Sequence, residues 1–399
     1  MYEIENKNKQ FKLSEVIILI CITAVIGFIM GLSLFNVLDK KNKPKEYDEE
    51  LSKLIDNYNY ILNNYYGELD KKTLISGAIE GMLGKINDPY TTFIDENNSN
   101  IFNTTLEGKF EGIGVEIVND SDNNIIVYRV IEDSPASRAG IQSLDIIKAV
   151  DGTSLENMST ADFVAMIKNS ELSTFNITLL RGNEEISVQV TRELVTIKSV
   201  ESEIFNRNNK NVGYIHMSIF ANNTYNQFKE KLADLEKKGI DSLIIDVRGN
   251  TGGHLTSVEN ILGLFLDKTH VIYQTEDKEE IVKYYSKGNE TKTYKIVVLT
   301  NEGSASASEI LAAALKEEYG ATIVGKKTYG KGTVQELKTL PDGEQYKFTT
   351  KKWLTPKGNW INEVGIEADI EVEFNKDYYD NPTYENDKQL QRAIEVIIE

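Results

Sequence analysis

The sequence predicts an α+β multidomain chain: an N-terminal transmembrane helix, a helical segment, a β-rich module and an α/β core. Three patterns predict it. The run Val16–Leu38 carries no charge, and its 23 residues would reach ~34 Å as a helix, enough to span a bilayer. Between residues 106 and 193, β-branched runs alternate with turn residues. From about Leu194 onward, strand-like and helix-like patterns alternate as βαβ units do.

Taken in order, residues 1–15 form a short N-terminus and 16–38 the transmembrane anchor. The anchor is apolar all round, unlike a core helix with a polar stripe, and no small-residue cleavage site follows it, which favours an uncleaved anchor over a signal peptide. Lys7, Lys9 and Lys12 precede it and Lys40, Lys41, Lys43 and Lys45 follow, so charge leaves its orientation open. Residues 39–47 read as a linker. In the segment 48–105, Leu51, Leu54, Ile55, Tyr58, Ile61 and Leu62 recur at helical spacing; the apolar face suits either a homodimer contact or packing within the chain. A second short helix covers Thr73–Leu83, and Asn87-Asp88-Pro89 breaks it.

In the module 106–193, GIGVEIV and NNIIVYRVI read as strands, TADFVAMIKN as a capped amphipathic helix, and Phe175–Leu194 as a hairpin turning at Gly182-Asn183. In the core 194–375, the expected strands are NVGYIHMSIF, SLIIDVRGN, KIVVLT and ATIVG, and the expected helices are Tyr225–Lys238, HLTSVENILGLFLD and SASEILAAALKEEYG. A C-terminal helical tail, 376–399, has its helix at Gln389–Ile398.

Composition excludes several classes. The net charge of −18 and the absence of a basic tract argue against nucleic acid as a partner. The lone cysteine, Cys21, rules out a disulfide framework and a cysteine zinc site. The three histidines, His216, His254 and His270, form no zinc-peptidase pattern, and no metal or other cofactor is expected.

The richest chemistry lies in Asn301–Gly320. A buried-type strand ends, glycine permits a sharp turn, and three alternating serines begin a helix. A hydroxyl there sits at the positive end of a helix dipole beside unpaired backbone N–H groups, which suits a nucleophile with an oxyanion site; one serine alone would be read as an N-cap. A serine needs a base, and the histidines are poorly placed. A neutral lysine is the other base used with serine. Lys331, between Gly330 and Gly332 one βα return later, is a candidate for it, or else a solvated turn residue. The glycine-rich turn Asp246–Leu255 is either a tight βα turn or an oxyanion donor. The loop Phe110–Ile117 can aim N–H groups at a carboxylate.

Taken together these motifs resemble the carboxyl-terminal processing proteases, the tail-specific Ser/Lys peptidases. GIGVEI, SPASRAGI and DIIKAVDG resemble a PDZ domain, and SGAIEGMLGKINDPYTTF, VGYIHMSIF, DVRGNTGG, GSASASEI, TYGKGTVQ and LTPKGNWINEVGIEADIEV follow in the family's order. The resemblance implies a PDZ domain inserted before a crotonase-like α/β Ser/Lys protease core. It implies Ser306 as nucleophile, Lys331 as general base and Gln335 as the residue that orients the lysine. It places the oxyanion hole at the N–H groups of Ala307 and Gly253. It places a substrate C-terminus at Ile113, Gly114 and Val115, with Lys168 at the end of the ligand helix where many members carry arginine. Ala368 stands where the family has proline. The implied activity is a membrane-anchored serine endopeptidase, gated by its PDZ domain, that cleaves apolar C-terminal regions of proteins or peptides. The implied location is the cell membrane, single-pass, with the N-terminus at 1–15 cytoplasmic and the catalytic domain extracytoplasmic. The alternative is a non-catalytic PDZ adaptor, against which the intact serine and lysine motifs argue.

Overall fold

The structure, a computed structural model, describes residues 48–94, 103–340, 343–376, 378 and 383–399. The expected N-terminus, anchor and linker at 1–47 lie outside the described residues, as does part of the tail before residue 383. No helix among the described residues is long and apolar enough to cross a membrane.

The chain divides into two compact units, Met1–Ile79 and Glu80–Glu399. The first contains α1, Glu49–Asn64, whose N-cap Asp48 accepts from the Leu51 N–H at 2.9 Å. It also contains most of α2, Lys71–Gly84, which extends the sequence expectation by a residue or two at each end.

The second unit opens with β1, Thr92–Ile94, and then builds the β-rich module. Strands β2 (Lys109–Gly112), β3 (Val115–Asn119), β4 (Ile125–Val130), β5 (Ile146–Val150), β6 (Thr153–Ser154), β7 (Thr174–Arg181), β8 (Glu184–Thr191) and β9 (Glu193–Thr196) are joined by helices α3 (Pro135–Arg138) and α4 (Thr160–Asn169). The sheet order is β3-β4-β5-β7-β8, with β6 paired to β5. The separate antiparallel ribbon β2-β9 brings the two ends of the module together. Alternate residues such as Ile125, Val127, Ile177 and Leu179 are buried and form a core with Phe163 and Ile167 of α4. β3 is an edge strand and α4 packs against it; an edge strand is where an added peptide strand can pair.

The core continues with β10 (Val200–Arg207), β11 (Lys210–Met217), α5 (Thr224–Lys237), β12 (Ser242–Asp246), α6 (Leu255–Leu262), β13 (Val271–Glu276), β14 (Ile281–Tyr285), β15 (Lys295–Thr300), α7 (Ala307–Ala314), β16 (Thr322–Gly325), β17 (Thr333–Thr339), β18 (Gln345–Leu354), β19 (Ile370–Glu371) and α8 (Lys388–Ile398). The main sheet runs β10-β11-β12-β15-β16-β19; β10 and β11 are antiparallel and the remaining pairs parallel. Its central strands are apolar along most of their length because both faces are covered. One face packs with Phe228, Leu232, Val258, Ile261, Ile310 and Leu311 of α5, α6 and α7. The other face packs with Leu390, Ala393, Ile394 and Ile397 of α8, so the predicted helical tail is a layer of the core.

A second sheet went unread in the sequence. β18 pairs with β17 along one side, and with β1 and β13 on the other, and β14 closes the edge.

Candidate active site

Three adjacent parallel strands, β12, β15 and β16, end at the same edge of the main sheet, the usual place for a site in an α/β fold. The loops that leave them are Val247–His254, Asn301–Ser306 and Lys326–Gly332. These contain the glycine pair, the serine cluster and Lys331.

Ser306 is the N-cap of α7 and has φ 56° and ψ −114°, a region costly for a side chain with a Cβ. It is half-buried, whereas Ser304 and Ser308 are wholly buried. The outer serines are tied to the glycine loop: Ser304 Oγ donates to the Val247 carbonyl at 2.8 Å and Ser308 Oγ to the Asn250 carbonyl at 2.7 Å. Ser306, the middle serine, makes no such side-chain bond to the glycine loop among the described residues.

Asn250 secures the same loop from inside. Its Nδ2 donates to the Met217 carbonyl at 3.0 Å and its Oδ1 accepts from the Gly252 N–H at 2.9 Å. Gly252, at φ 107°, must be glycine, since a Cβ there would lie 2.8 Å from Ser306 Cβ. With the Gly252 N–H engaged, the next N–H, that of Gly253, has no acceptor among the described residues, and neither does that of Ala307. Two unengaged N–H groups on the segments that flank Ser306 suit an oxyanion.

Glu309, which the sequence reading passed over, joins the loops. It is fully buried on the first turn of α7. Its Oε1 accepts from Thr328 Oγ1 at 2.6 Å and the Gly330 N–H at 2.7 Å. Its Oε2 accepts from the Ser306 N–H at 2.8 Å and the Lys331 N–H at 2.9 Å. Burial pushes its carboxyl above the ordinary range and the four donors pull against that. One carboxylate oxygen therefore holds the backbone of both candidate catalytic residues.

Lys331 is largely buried, and desolvation, aided by the charge of Lys347, lowers its amine to about 8; Glu309 and Asp88 act in the opposite direction. Trp353 Nε1 donates to the Lys331 carbonyl at 2.6 Å and Trp360 Nε1 to that of Gly332 at 2.8 Å, so indole rings brace the loop. Gln335, on β17, is in the same neighbourhood, but its Nε2 donates to Thr333 Oγ1 at 2.8 Å and Thr349 Oγ1 at 3.1 Å. No histidine hydrogen-bonds Ser306 among the described residues, and no group of three His, Cys, Asp or Glu side chains there is placed to hold a metal.

Behind the glycine loop is a buried ion cluster. Arg248 contacts Asp246 at 2.6 Å and Asp387, the N-cap of α8, at 2.7 Å, and it also donates to Gln389 Oε1 at 3.0 Å. The glycine loop is thereby attached to the C-terminal helix.

In the β-rich module, Ile113 and Gly114 are buried and Val115 begins the edge strand β3. Gly114, at φ 87°, packs so closely on Ser134 that a Cβ would lie 2.2 Å from Ser134 Cβ. Lys168 is exposed in the last turn of α4. Arg192, unremarked in the sequence reading, donates to the carbonyls of Ile167 and Lys168 at 2.5 and 2.7 Å and closes the end of that helix.

The chain is similar to proteins of known family. Residues 211–372 match the model of peptidase family S41, 103–180 that of the PDZ domain, and 32–98 that of the N-terminal domain of the activating protease CtpB. The carboxy-terminal processing protease CtpB of Bacillus subtilis is 38% identical over 337 residues, which cover 84% of this chain and 70% of that protein. CtpA of the same organism is 36% identical over 389 residues, 95% of this chain and 81% of that protein. Among solved structures, an S41 protease of Bacteroides fragilis shares the fold at a TM-score of 0.52 and 16% identity, over 84% of this chain and 98% of that one.

Proposed function

The chain belongs to peptidase family S41 and is a serine peptidase with a PDZ domain, and from that premise we propose that Ser306 and Lys331 form its catalytic dyad. The observation that carries the proposal is the shared anchor: Glu309 Oε2 takes the backbone N–H of both residues, at 2.8 and 2.9 Å. In the proposed cycle, neutral Lys331 accepts the Ser306 hydroxyl proton as the oxygen attacks the scissile carbonyl. The Ala307 and Gly253 N–H groups stabilise the oxyanion. The lysine ammonium then gives its proton to the leaving amine, and water, activated in the same way, releases the acyl group. Gln335 holds the β17 end of the lysine loop.

The substrate proposed is a protein or peptide with a flexible, apolar C-terminus, its carboxylate bound by the N–H groups of Ile113, Gly114 and Val115 beside α4, with Lys168 adding positive charge. The similarity to two proteins named carboxy-terminal processing proteases, CtpA and CtpB, supports this reading. Residues 16–38 are proposed as a single-pass anchor on the strength of their uncharged length, and the catalytic unit is proposed to lie outside the cytoplasm on the strength of the family resemblance alone. Leu51, Leu54 and Ile61 stand exposed along α1, and a second copy of this chain is the partner proposed for them.

The test is to incubate the full chain in detergent with an unfolded reporter that ends in apolar residues, beside Ser306→Ala. Equal cleavage by parent and variant would dismiss Ser306 as the nucleophile.

A further inference from the structure

The turn Asn87–Tyr90, expected from the sequence to break a helix, lies against the candidate base. Lys331 Nζ sits 4.9 Å from the centroid of the Tyr90 ring. The turn is held there by its own bonds. The Asp88 carboxylate accepts from the Tyr90 N–H at 3.1 Å and from Thr91 Oγ1 at 2.6 Å, and bonds the Thr349 side chain. Thr349 is the same residue whose hydroxyl takes the Gln335 amide. Tyr90 in turn hydrogen-bonds Tyr329, two residues before the lysine.

This contact discriminates between the two forms of the amine. An aromatic face attracts an ammonium through its quadrupole and offers a neutral amine almost nothing. A general base has the reverse need, because only the neutral amine can take the serine proton. We propose that Tyr90 is a positioning residue for the base: its ring holds Lys331 while the lysine is protonated and releases it towards Ser306 on deprotonation, and so sets the acid limit of proteolysis. The inference rests on the assignment of Lys331 as the base.

The surroundings make the ring's share separable. The groups that face the amine are Lys347 on β18, Glu309 on α7, and Asp88 and Tyr90 in the turn, with Tyr329 behind Tyr90. Lys347 and burial oppose the ammonium, and Glu309 and Asp88 favour it. Tyr90 favours it without a charge of its own, since burial and Tyr329 push the phenol up to about 12. Replacing the ring by an aliphatic side chain therefore removes one contribution and leaves the charges in place.

Two substitutions and two readouts test this on the full-length chain. Tyr90→Leu keeps an apolar cover and loses the π face; Tyr90→Phe keeps the face and loses the Tyr329 bond. The first readout is the pH dependence of kcat/KM on the unfolded reporter. The second, in a Ser306→Ala background, is carbon-13 NMR titration of labelled lysines, with Lys331→Met assigning the signal. In Tyr90→Leu the acid limb and the Lys331 midpoint should both move to lower pH by about half to one unit, while Tyr90→Phe stays with the parent. The proposal is overturned if the Lys331 midpoint is the same in parent and Leu variant, or if Phe moves it as far as Leu. A midpoint that falls while the acid limb stays fixed would overturn Lys331 as the base and leave the ammonium–ring contact demonstrated.

Discussion

Replacing Glu309 by Gln tests the shared anchor most directly. The carboxylate accepts four hydrogen bonds at 2.6–2.9 Å, two on each oxygen. The amide keeps one acceptor oxygen. If that oxygen stays with Thr328 and Gly330, the NH2 group points at the Ser306 and Lys331 N–H groups, donor against donor. At about 1–3 kcal/mol for each buried donor left unpaired, the gross loss is about 2–6 kcal/mol. Removing a buried charge returns part of it, so a net destabilisation of about 2–3 kcal/mol is expected. The kinetic effect should be larger in proportion. Both residues of the proposed dyad lose the contact that fixes their separation, and a displacement near 1 Å costs roughly 100-fold in rate. The expected result is a kcat on the unfolded reporter reduced about 100-fold or more, with KM changed little. Urea denaturation of the same preparations gives the stability difference. A variant with kcat within a few-fold of the parent would refute the reasoning, as would one that loses only substrate affinity.

The other outcomes concern charge and substrate. The folded chain binds the Lys331 proton less tightly than the unfolded chain, about 8 against 10.5, so its penalty is complete below about pH 8 and disappears as the pH rises to 10.5. Lys331→Met should be inactive, more stable than the parent by up to about 3 kcal/mol at pH 7, and equal to it near pH 10.5; denaturation at both pH values decides, and a variant several kcal/mol weaker at pH 7 would mark a paired structural cation. Arg248→Gln leaves Asp246 and Asp387 facing each other in the interior and should cost about 3–5 kcal/mol, read as a lowered denaturation midpoint; an unchanged midpoint would show that α8 is held by its apolar face alone. Amidating the reporter's C-terminus should raise KM or slow cleavage, and identical kinetics for free and amidated reporters would remove the carboxylate-reading role of the Ile113–Val115 loop.

What the sequence made legible follows from how local the signals are. The loops around Gly253, Ser306 and Lys331 each sit next to a strand with a clear apolar run, so short motifs place them. The sheet formed by β13, β14, β17 and β18 was not legible. Its strands carry Lys, Glu and Thr at many positions, and β1 finds its partner at Gln345–Lys347, far along the chain. The C-terminal helix was visible, but its role was not. Its apolar stripe predicts burial somewhere, and only the sheet face opposite α5, α6 and α7 shows where.

Glu309 is the instructive omission. Ser306-Ala307-Ser308-Glu309 is a serine followed three residues later by a glutamate at a helix start, the pattern of a capping box. Read that way, the glutamate reaches back to the Ser306 N–H, as it does here. A carboxylate has capacity beyond that one bond, however, and in an interior as apolar as the start of α7 each remaining lone pair must find a donor. The donors come from Thr328, Gly330 and Lys331, 19–22 residues on, which no local pattern could name. A buried acid in a helix cap thus implies a second loop brought to it. In this chain the second loop carries the lysine, and the need to satisfy one buried carboxylate is what sets the serine and the lysine side by side.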